Sequence, residues 1–444
     1  MSARDEVSLG GGRVNVRVEP AAAITGHVAV PGDKSISHRA VLLGLLAEGE
    51  TRVSGFGRSA DTEATIAAAR ALGATVYEAD GETLRVFGKG LRGLEQPATP
   101  IDCANAGTLL RLVTGILAGQ EGRSFELTGD ASLSTRPMER IAAPLRAMGA
   151  RIETTDGHAP VRIAGTALKP TTYELPVASA QVKSAILLAG LFAHGGETTV
   201  LEPVPTRDHT EYMLAAAGAR VTRRPHSVTV WPTERLEPPE IEVPGDASSA
   251  APLILAATLI AGSELTIHGV NLNPRRTGFL DVLGRMGARL TVFNRRRIGG
   301  EPAGDLDVRP ARLVGATIEA AEVPSLVDEL PLFALAAVNA RGESVVRGAA
   351  ELRAKETDRI EAVVDGLRAL GGHIRATGDG FVVKGVPTRL RGGVLDARDD
   401  HRIAMLGAVA GLASREGVVV KGAEAVSVSF PRFFQLIDQI AQRG

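Results

Sequence analysis

Six short polar stretches carry most of the residues in this 444-residue chain that could do chemistry. In order they are PGDKSISHR (31–39), NAGTLLR (105–111), SAQVKS (179–184), PGDASS (244–249), VPSLVDE (323–329) and DDHR (399–402). Each stands just before an apolar run that reads as a buried helix. A helix N-terminus presents unpaired backbone N–H groups and a partial positive charge, so all six positions favour anions. Lys34 and Ser35 have two readings, phosphate capture or a surface turn, because Gly-Asp-Lys-Ser is common turn chemistry. The nucleotide P-loop is excluded: no glycine lies five residues before Gly32, and Asp33 separates Gly32 from Lys34.

Further candidates stand at helix starts. AKETDRI (354–360) opens an amphipathic helix. Its Lys355, Glu356, Asp358 and Arg359 are either solvated first-turn charges or a site in which Lys355 and Arg359, four apart, bracket an anion and Glu356 moves a proton. Asp400, His401 and Arg402 read as a capping Asp with a solvent-facing His, or as part of the same chemistry. Arg136, ahead of Pro137 in STRPMER, suits a solvated charge or anion capture. Asp328 and Glu329 sit among Val323, Pro324, Leu326, Val327, Leu330, Leu332 and Phe333. Carboxylates in apolar surroundings are rare unless paired, and burial raises their pKa toward that of a general base, so a functional reading is favoured. Cys103, beside Asn105, reads as a buried small thiol rather than a nucleophile. As the one cysteine, it excludes an intrachain disulfide and a thiolate-rich metal site, and the nine histidines form no HExxH or HxH pair, so no metal is implied.

The elements that must position these residues recur. VPGDKSISHRAVLLGLLA (30–47) and VPGDASSAAPLILAATLI (243–260) read almost alike, 213 residues apart. Gly-led, β-rich stretches begin at Gly49, Gly122, Gly196, Gly262, Gly342 and Gly417, at intervals of 66 to 80 residues. Glycines at 73, 149, 218, 287 and 371 each end a helical pattern, where the left-handed cap favours glycine. Met138, Ile141, Ala142, Leu145 and Met148 share one apolar template with Ile360, Val363, Val364, Leu367 and Leu370. The sixth unit departs, ending in FPRFFQLIDQIAQRG. The pattern predicts an α/β chain of six modules of about 74 residues. Three belong to a first lobe (32–244) and three, with the N-terminal arm, to a second (1–31 and 245–444), hinged near Pro31-Gly32 and Pro244-Gly245.

Composition limits the partners. Fifty basic and 51 acidic residues give a net charge of −1, against a general polyanion binder. Only 15 of the 444 residues are aromatic, against a stacking platform for single-stranded nucleic acid. Neither a bilayer-length apolar run nor a secretory leader after MSARDEV is visible, so no membrane partner and a cytoplasmic location are expected.

PGDKSISHR, NAGT, RPM, SAQ, KETDR and DDHR, in this order, resemble the enolpyruvyl transferases, over about residues 18–434, and RPMERIAAPLRAMGA and SAQVKSAILLAGL resemble the second of that family's sequence classes. The resemblance implies two lobes of three βαβαββ units each, an inside-out α/β barrel closing over its substrates. It implies transfer of the carboxyvinyl group of phosphoenolpyruvate to the 5-hydroxyl of shikimate 3-phosphate on the way to chorismate, with release of phosphate. The route is addition–elimination through a tetrahedral intermediate, without metal or cofactor, by a monomer. Asp328 then matches the base near the 5-hydroxyl, Glu356 the residue serving the enol methylene, and Lys34 an acid that contacts both substrates. Lys34, Ser35, Arg39, Ser179, Ala180 (through its backbone), Gln181, Arg207, Asp328 and Lys355 would hold shikimate 3-phosphate. Lys34, Gly107, Arg136, Gln181, Arg359 and Arg402 would hold phosphoenolpyruvate.

Three positions depart from or qualify the pattern. Val428 stands where many relatives have a lysine just before the final Phe-Pro, and Lys421 lies too far upstream to be equated with it. Leu112 replaces a proline of the other sequence class. Gly107 is retained where alanine in some relatives crowds out glyphosate, so competition by glyphosate is expected. Two alternatives are the sister transferase acting on UDP-N-acetylglucosamine and a non-enzymatic anion-binding scaffold. The first uses a cysteine on a mobile loop, unlike Cys103. The second leaves Asp328 and Glu356 unexplained.

Overall fold

The computed structural model describes residues 13–443. The leader question raised by MSARDEV lies outside the described residues. The chain forms two compact units: Gly32–Pro244 with Arg297–Glu301, and a carboxy-terminal unit of the residues up to Pro31, Gly245–Arg296 and Pro302 onward.

One module recurs through both. A buried helix leads to a strand, a half-buried helix follows, and two antiparallel strands complete the turn of chain. In the Gly32–Pro244 unit the buried helices are Lys34–Leu46, Gly107–Ala118 and Ala180–Gly190. In the carboxy-terminal unit they are Ala247–Leu259, Leu330–Val338 and His401–Ala413. Their small and aliphatic residues leave no polar face, so they can only be core, and all thirteen residues of His401–Ala413 are buried. Close approach is part of the design: a Cβ on Gly115 would lie 2.2 Å from the backbone oxygen of Ala185, so the helices of the second and third modules touch through glycine.

Each sheet contains one parallel pair and is otherwise antiparallel. Ile101–Asp102, Ser124–Thr128, His158–Ala164 and Arg151–Thr155 follow this pattern. Thr172–Glu174, Thr198–Leu201, Ser227–Val230 and Val221–Arg224 repeat it. The first sheet obtains its parallel strand, Ile241–Glu242, from the far end of the same unit, pairing Ile241 with Val53. The N-terminal strands fill the matching vacancies in the carboxy-terminal unit: Ala23–Ala29 pairs in parallel with Glu264–Asn271, and Asn15–Val18 antiparallel with Val418–Lys421. The short sixth module thus borrows the strand its own sequence lacks. Backbone bonds seal both sets of ends, from Asp33 N–H to Pro244 O (2.8 Å) and from Asp246 N–H to Pro31 O (2.9 Å).

The recurring glycines have the expected backbone, with φ between +90° and +100° at Gly73, Gly149, Gly218, Gly287 and Gly371. All ten residues of the shared apolar template are buried. One boundary differs. The helix expected to open at AKETDRI begins at Arg359, because Ala350–Ala354 form a 3-10 turn, Lys355 is extended, and Asp358 caps Ile360 and Glu361. Lys355 and Arg359 therefore do not share a helical face four residues apart. No helix among the described residues is long and apolar enough to cross a membrane.

Candidate active site

The sequence-derived candidates divide between the two units. Lys34, Ser35, Arg39, Gly107, Arg136, Ser179, Ala180, Gln181 and Arg207 lie in the Gly32–Pro244 unit, and Asp328, Lys355, Glu356, Arg359 and Arg402 in the carboxy-terminal unit.

In the Gly32–Pro244 unit Asp33 and Ser179 cap the first and third helix starts. Asp33 accepts from Ile36 N–H (3.1 Å), which orders the turn bearing Lys34 and Ser35. Lys34 Nζ donates to Asp61 (2.7 Å) on the neighbouring helix Ala60–Ala71, whose Thr65 bonds His38 Nδ1 (2.6 Å). Burial, then Lys34 and Arg39, hold His38 well below its ordinary pKa, so it stays neutral behind the lysine. Arg39 is buried and fixed on three sides, by Thr210 Oγ1 (2.6 Å), Ser184 Oγ (2.9 Å) and its own helix's Ser35 carbonyl (2.8 Å). Burial pushes it down to about 10 against the pull of Glu211 and Asp33, with a smaller lowering from Arg207.

The second and third helix starts meet through a residue the sequence reading passed over. Arg111 donates to Gln181 Oε1 (2.6 Å), and Gln181 donates to Thr108 (2.9 Å). Arg136 donates to Asn105 Oδ1 (2.6 Å). A Cβ on Gly107 would stand 2.9 Å from an Arg111 nitrogen and 3.1 Å from one of Arg136, so this glycine leaves room beside two guanidinium groups. Arg111 was visible as the last residue of NAGTLLR, one helical turn after Gly107. Ser179 caps its helix by accepting from Val182 N–H (3.4 Å), and Ala180 is the first residue of that helix.

Arg207 follows a loop set by buried charges that carried no signal in sequence. Lys183 is fully buried, 3.0 Å from Glu202 and 2.6 Å from Glu211, and Glu202 accepts from both Thr206 N–H (3.0 Å) and Thr206 Oγ1 (2.8 Å). Burial raises the pKa of Glu211 against the pull of Lys183. Glu202→Gln should cost about 2 kcal/mol, as hydrogen bonds to a buried charge are weakened. Amide exchange at Thr206 should quicken in parallel; unchanged exchange there would detach the cluster from the loop.

In the carboxy-terminal unit one guanidinium gathers the carboxylates. Arg359 is 2% exposed and lies 2.7 Å from Asp400, 2.6 Å from Glu356 and 3.3 Å from Asp328. Burial works against its charge, but Asp400, Glu356 and Asp328 outweigh that and raise its pKa. Burial pushes Asp400 up while Arg359 draws it back. Burial likewise lowers Lys355, opposed by Asp328. Asp400 also caps the sixth buried helix through Arg402 N–H (2.8 Å). His401, read as solvent-facing, is buried instead. Val428 ends a 3-10 turn, and Lys421 is exposed at the end of a strand.

One expectation needs correction here. Asp328 and Glu329 do not share an apolar setting. Glu329 is buried and accepts from Ser248 Oγ, whereas Asp328 faces Arg359 and, at 4.0 Å, Arg276. The fourth helix start, PGDASS, contributes as well: Asp246 accepts from Arg276 (2.8 Å), and the Ser248 carbonyl accepts from Arg402 (3.2 Å). Arg276, in NPRRTG, looks like one of two solvated arginines in sequence. Cys103 is buried, and burial raises its thiol away from the reactive thiolate.

A chain of six αβ modules, with cations at the helix starts of one unit and arginine-held carboxylates in the other, matches a known structural class. The fold is similar to the 2.37 Å structure of EPSP synthase from Acinetobacter baumannii, with a TM-score of 0.85 and 42% identity over 97% of this chain and 99% of that one. The sequence profile of the family EPSP synthase (3-phosphoshikimate 1-carboxyvinyltransferase) matches residues 18–437, and the chain belongs to that family. It is 49% identical to the 3-phosphoshikimate 1-carboxyvinyltransferase of Desulforudis audaxviator over 96% of this chain and 99% of that protein. It is 50% identical to that of Roseiflexus castenholzii over 94% and 98%.

Proposed function

We propose that the chain transfers the carboxyvinyl group of phosphoenolpyruvate to the 5-hydroxyl of shikimate 3-phosphate and releases inorganic phosphate. The observation that carries this reading is Asp328, a carboxylate held by a buried guanidinium that also holds Glu356. Two proton carriers are thus fixed in one cluster. Lys34, Ser35, Arg39, Ser179, Ala180, Gln181, Arg207 and Lys355 hold shikimate 3-phosphate; Lys34, Gly107, Arg136, Gln181, Arg359 and Arg402 hold phosphoenolpyruvate. Each phosphate brings about −1.5 to −2 charges and each substrate a carboxylate, a load that several arginines and helix ends can meet.

The steps balance with proton transfer alone. Glu356 or Lys34 protonates the methylene carbon of phosphoenolpyruvate, and the adjacent carbon becomes electron-poor. The 5-hydroxyl oxygen adds there as Asp328 takes its proton, giving a tetrahedral intermediate. The C–O bond to phosphate then breaks, the phosphate taking up the hydroxyl proton from Asp328, as a methyl proton returns to the group that supplied it and the double bond is restored on the new ether. The proposal includes a cytoplasmic monomer.

The test is phosphate release from phosphoenolpyruvate with shikimate 3-phosphate, then with UDP-N-acetylglucosamine. Release with the second alone would replace this reading by the sister reaction, and release with neither would leave only anion binding. Glyphosate should compete with phosphoenolpyruvate, and Gly107→Ala should weaken it by about 10-fold or more, as its methyl crowds Arg111 and Arg136. Turnover undiminished at saturating glyphosate would sink that expectation.

A further inference from the structure

We propose that Arg276, seated on the start of the fourth buried helix, is a positioning residue that fixes the second carboxylate oxygen of Asp328. The proposal rests on the reading of Asp328 as the base. Arg276 is 2% exposed and acts through protein groups. Its guanidinium donates to Asp246 Oδ1 (2.8 Å) and Ser248 Oγ (3.0 Å), and its other terminal nitrogen lies 4.0 Å from Asp328 Oδ2. Arg359 holds the opposite oxygen, Oδ1, at 3.3 Å. A carboxylate gripped at one oxygen can still turn about its terminal torsion, whereas cations on both oxygens define its plane. That plane sets whether a lone pair points at the hydroxyl to be deprotonated.

The same turn of backbone ties in the neighbours. Ser248 Oγ donates to Glu329, the residue after Asp328, and the Ser248 carbonyl accepts from Arg402. Asp246 and Asp400 play matching parts, each capping a buried helix and each holding a buried arginine against Asp328. The fourth helix start, which lacks a lysine where the first has Lys34, is therefore the seat of the base. A purely structural role for Arg276, neutralising Asp246, would leave the pH dependence of turnover untouched.

The charges around Asp328 give the sign. Arg359 faces it from the helix Arg359–Ala369, with Lys355 and Glu356 from the segment before that helix and Asp400 behind the guanidinium. Arg276 faces it from the loop after Glu264–Asn271, with Asp246 behind. Removing Arg276 takes away a cation and exposes Asp328 to Asp246, and both changes make it hold a proton more tightly. The acid limb of the rate profile should therefore move to higher pH.

Initial rates of phosphate release from pH 5 to 9 decide this in the full-length chain. Arg276→Met should lower kcat about 10-fold and move the acid limb up by about one pH unit, with both KM values within about 2-fold. Arg276→Lys should bring the limb back toward wild type and kcat back only in part. An unmoved acid limb in Arg276→Met, or a change confined to KM, would overturn the role. Should Arg276→Met not fold, Ser248→Ala decides, with the same directions at smaller size expected and an unchanged profile overturning it. A wild-type chain without turnover would overturn the proposed function itself; wild-type turnover with an unmoved limb overturns only the part given to Arg276.

Discussion

Asp328→Asn should lower kcat by about 10³-fold while leaving thermal unfolding near wild type. Asparagine keeps the shape of the carboxylate and a contact to Arg359 NH1, 3.3 Å from Oδ1. It cannot accept the hydroxyl proton, and general-base removal costs roughly 10² to 10⁴ in rate. Stability should change by no more than about 1 kcal/mol, because Asp328 is partly exposed and Arg359 retains Asp400 and Glu356. Glu329→Gln is the control: Glu329 is buried and accepts from Ser248, so it should lose stability in preference to rate. Phosphate-release kinetics with calorimetric unfolding separates the two. Turnover within 3-fold of wild type in Asp328→Asn would remove this residue from the chemistry.

Arg359→Met should be the most damaging change to the carboxy-terminal unit, at about 3–5 kcal/mol, the range for breaking a buried ion pair by deleting one partner. Asp400 is fully buried, and its carboxylate would lose the guanidinium bonded at 2.7 and 3.2 Å. The sign of the pH dependence follows. Burial already raises Asp400, and without Arg359 it and Glu356 would bind protons more tightly in the folded than in the unfolded chain. A group raised in the folded state stabilises fully below its unfolded pKa and loses that contribution as pH rises through the folded value. The deficit should accordingly be full at neutral pH and shrink toward pH 4, near the unfolded carboxylate value. Unfolding measured from pH 4.5 to 8 checks this. A deficit under about 1 kcal/mol, or one independent of pH, would show that the cage is not electrostatic in origin.

Much of the architecture was legible before any coordinates. The module was visible because helix burial, strand propensity and glycine caps are local properties, repeated at Gly73, Gly149, Gly218, Gly287 and Gly371. Apolar periodicity located the second helices, since the residues at template offsets must face the core. Lys355 shows where local reading fails. A helical spacing to Arg359 is real only if the helix extends back to it, and with Asp358 as its cap the helix starts at Arg359. The N-terminal strands show the same limit, as pairing of Asn15 with Lys421 leaves no trace in either segment alone.

By itself the sequence determined the α/β class, the six helix starts and a set of candidates for anion binding and proton transfer that lacked Arg111 and Arg276. Those follow from composition and from patterns a few residues long. Only the tertiary structure decided that Arg359 gathers Asp328, Glu356 and Asp400, that PGDASS seats Arg276, and that Lys183 is caged by Glu202 and Glu211. Apart from Glu356 with Arg359, these pairings join residues 19 to 41 positions apart. Their energies depend on burial and on distances of about 3 Å, quantities that exist only once separate helix starts have been packed together.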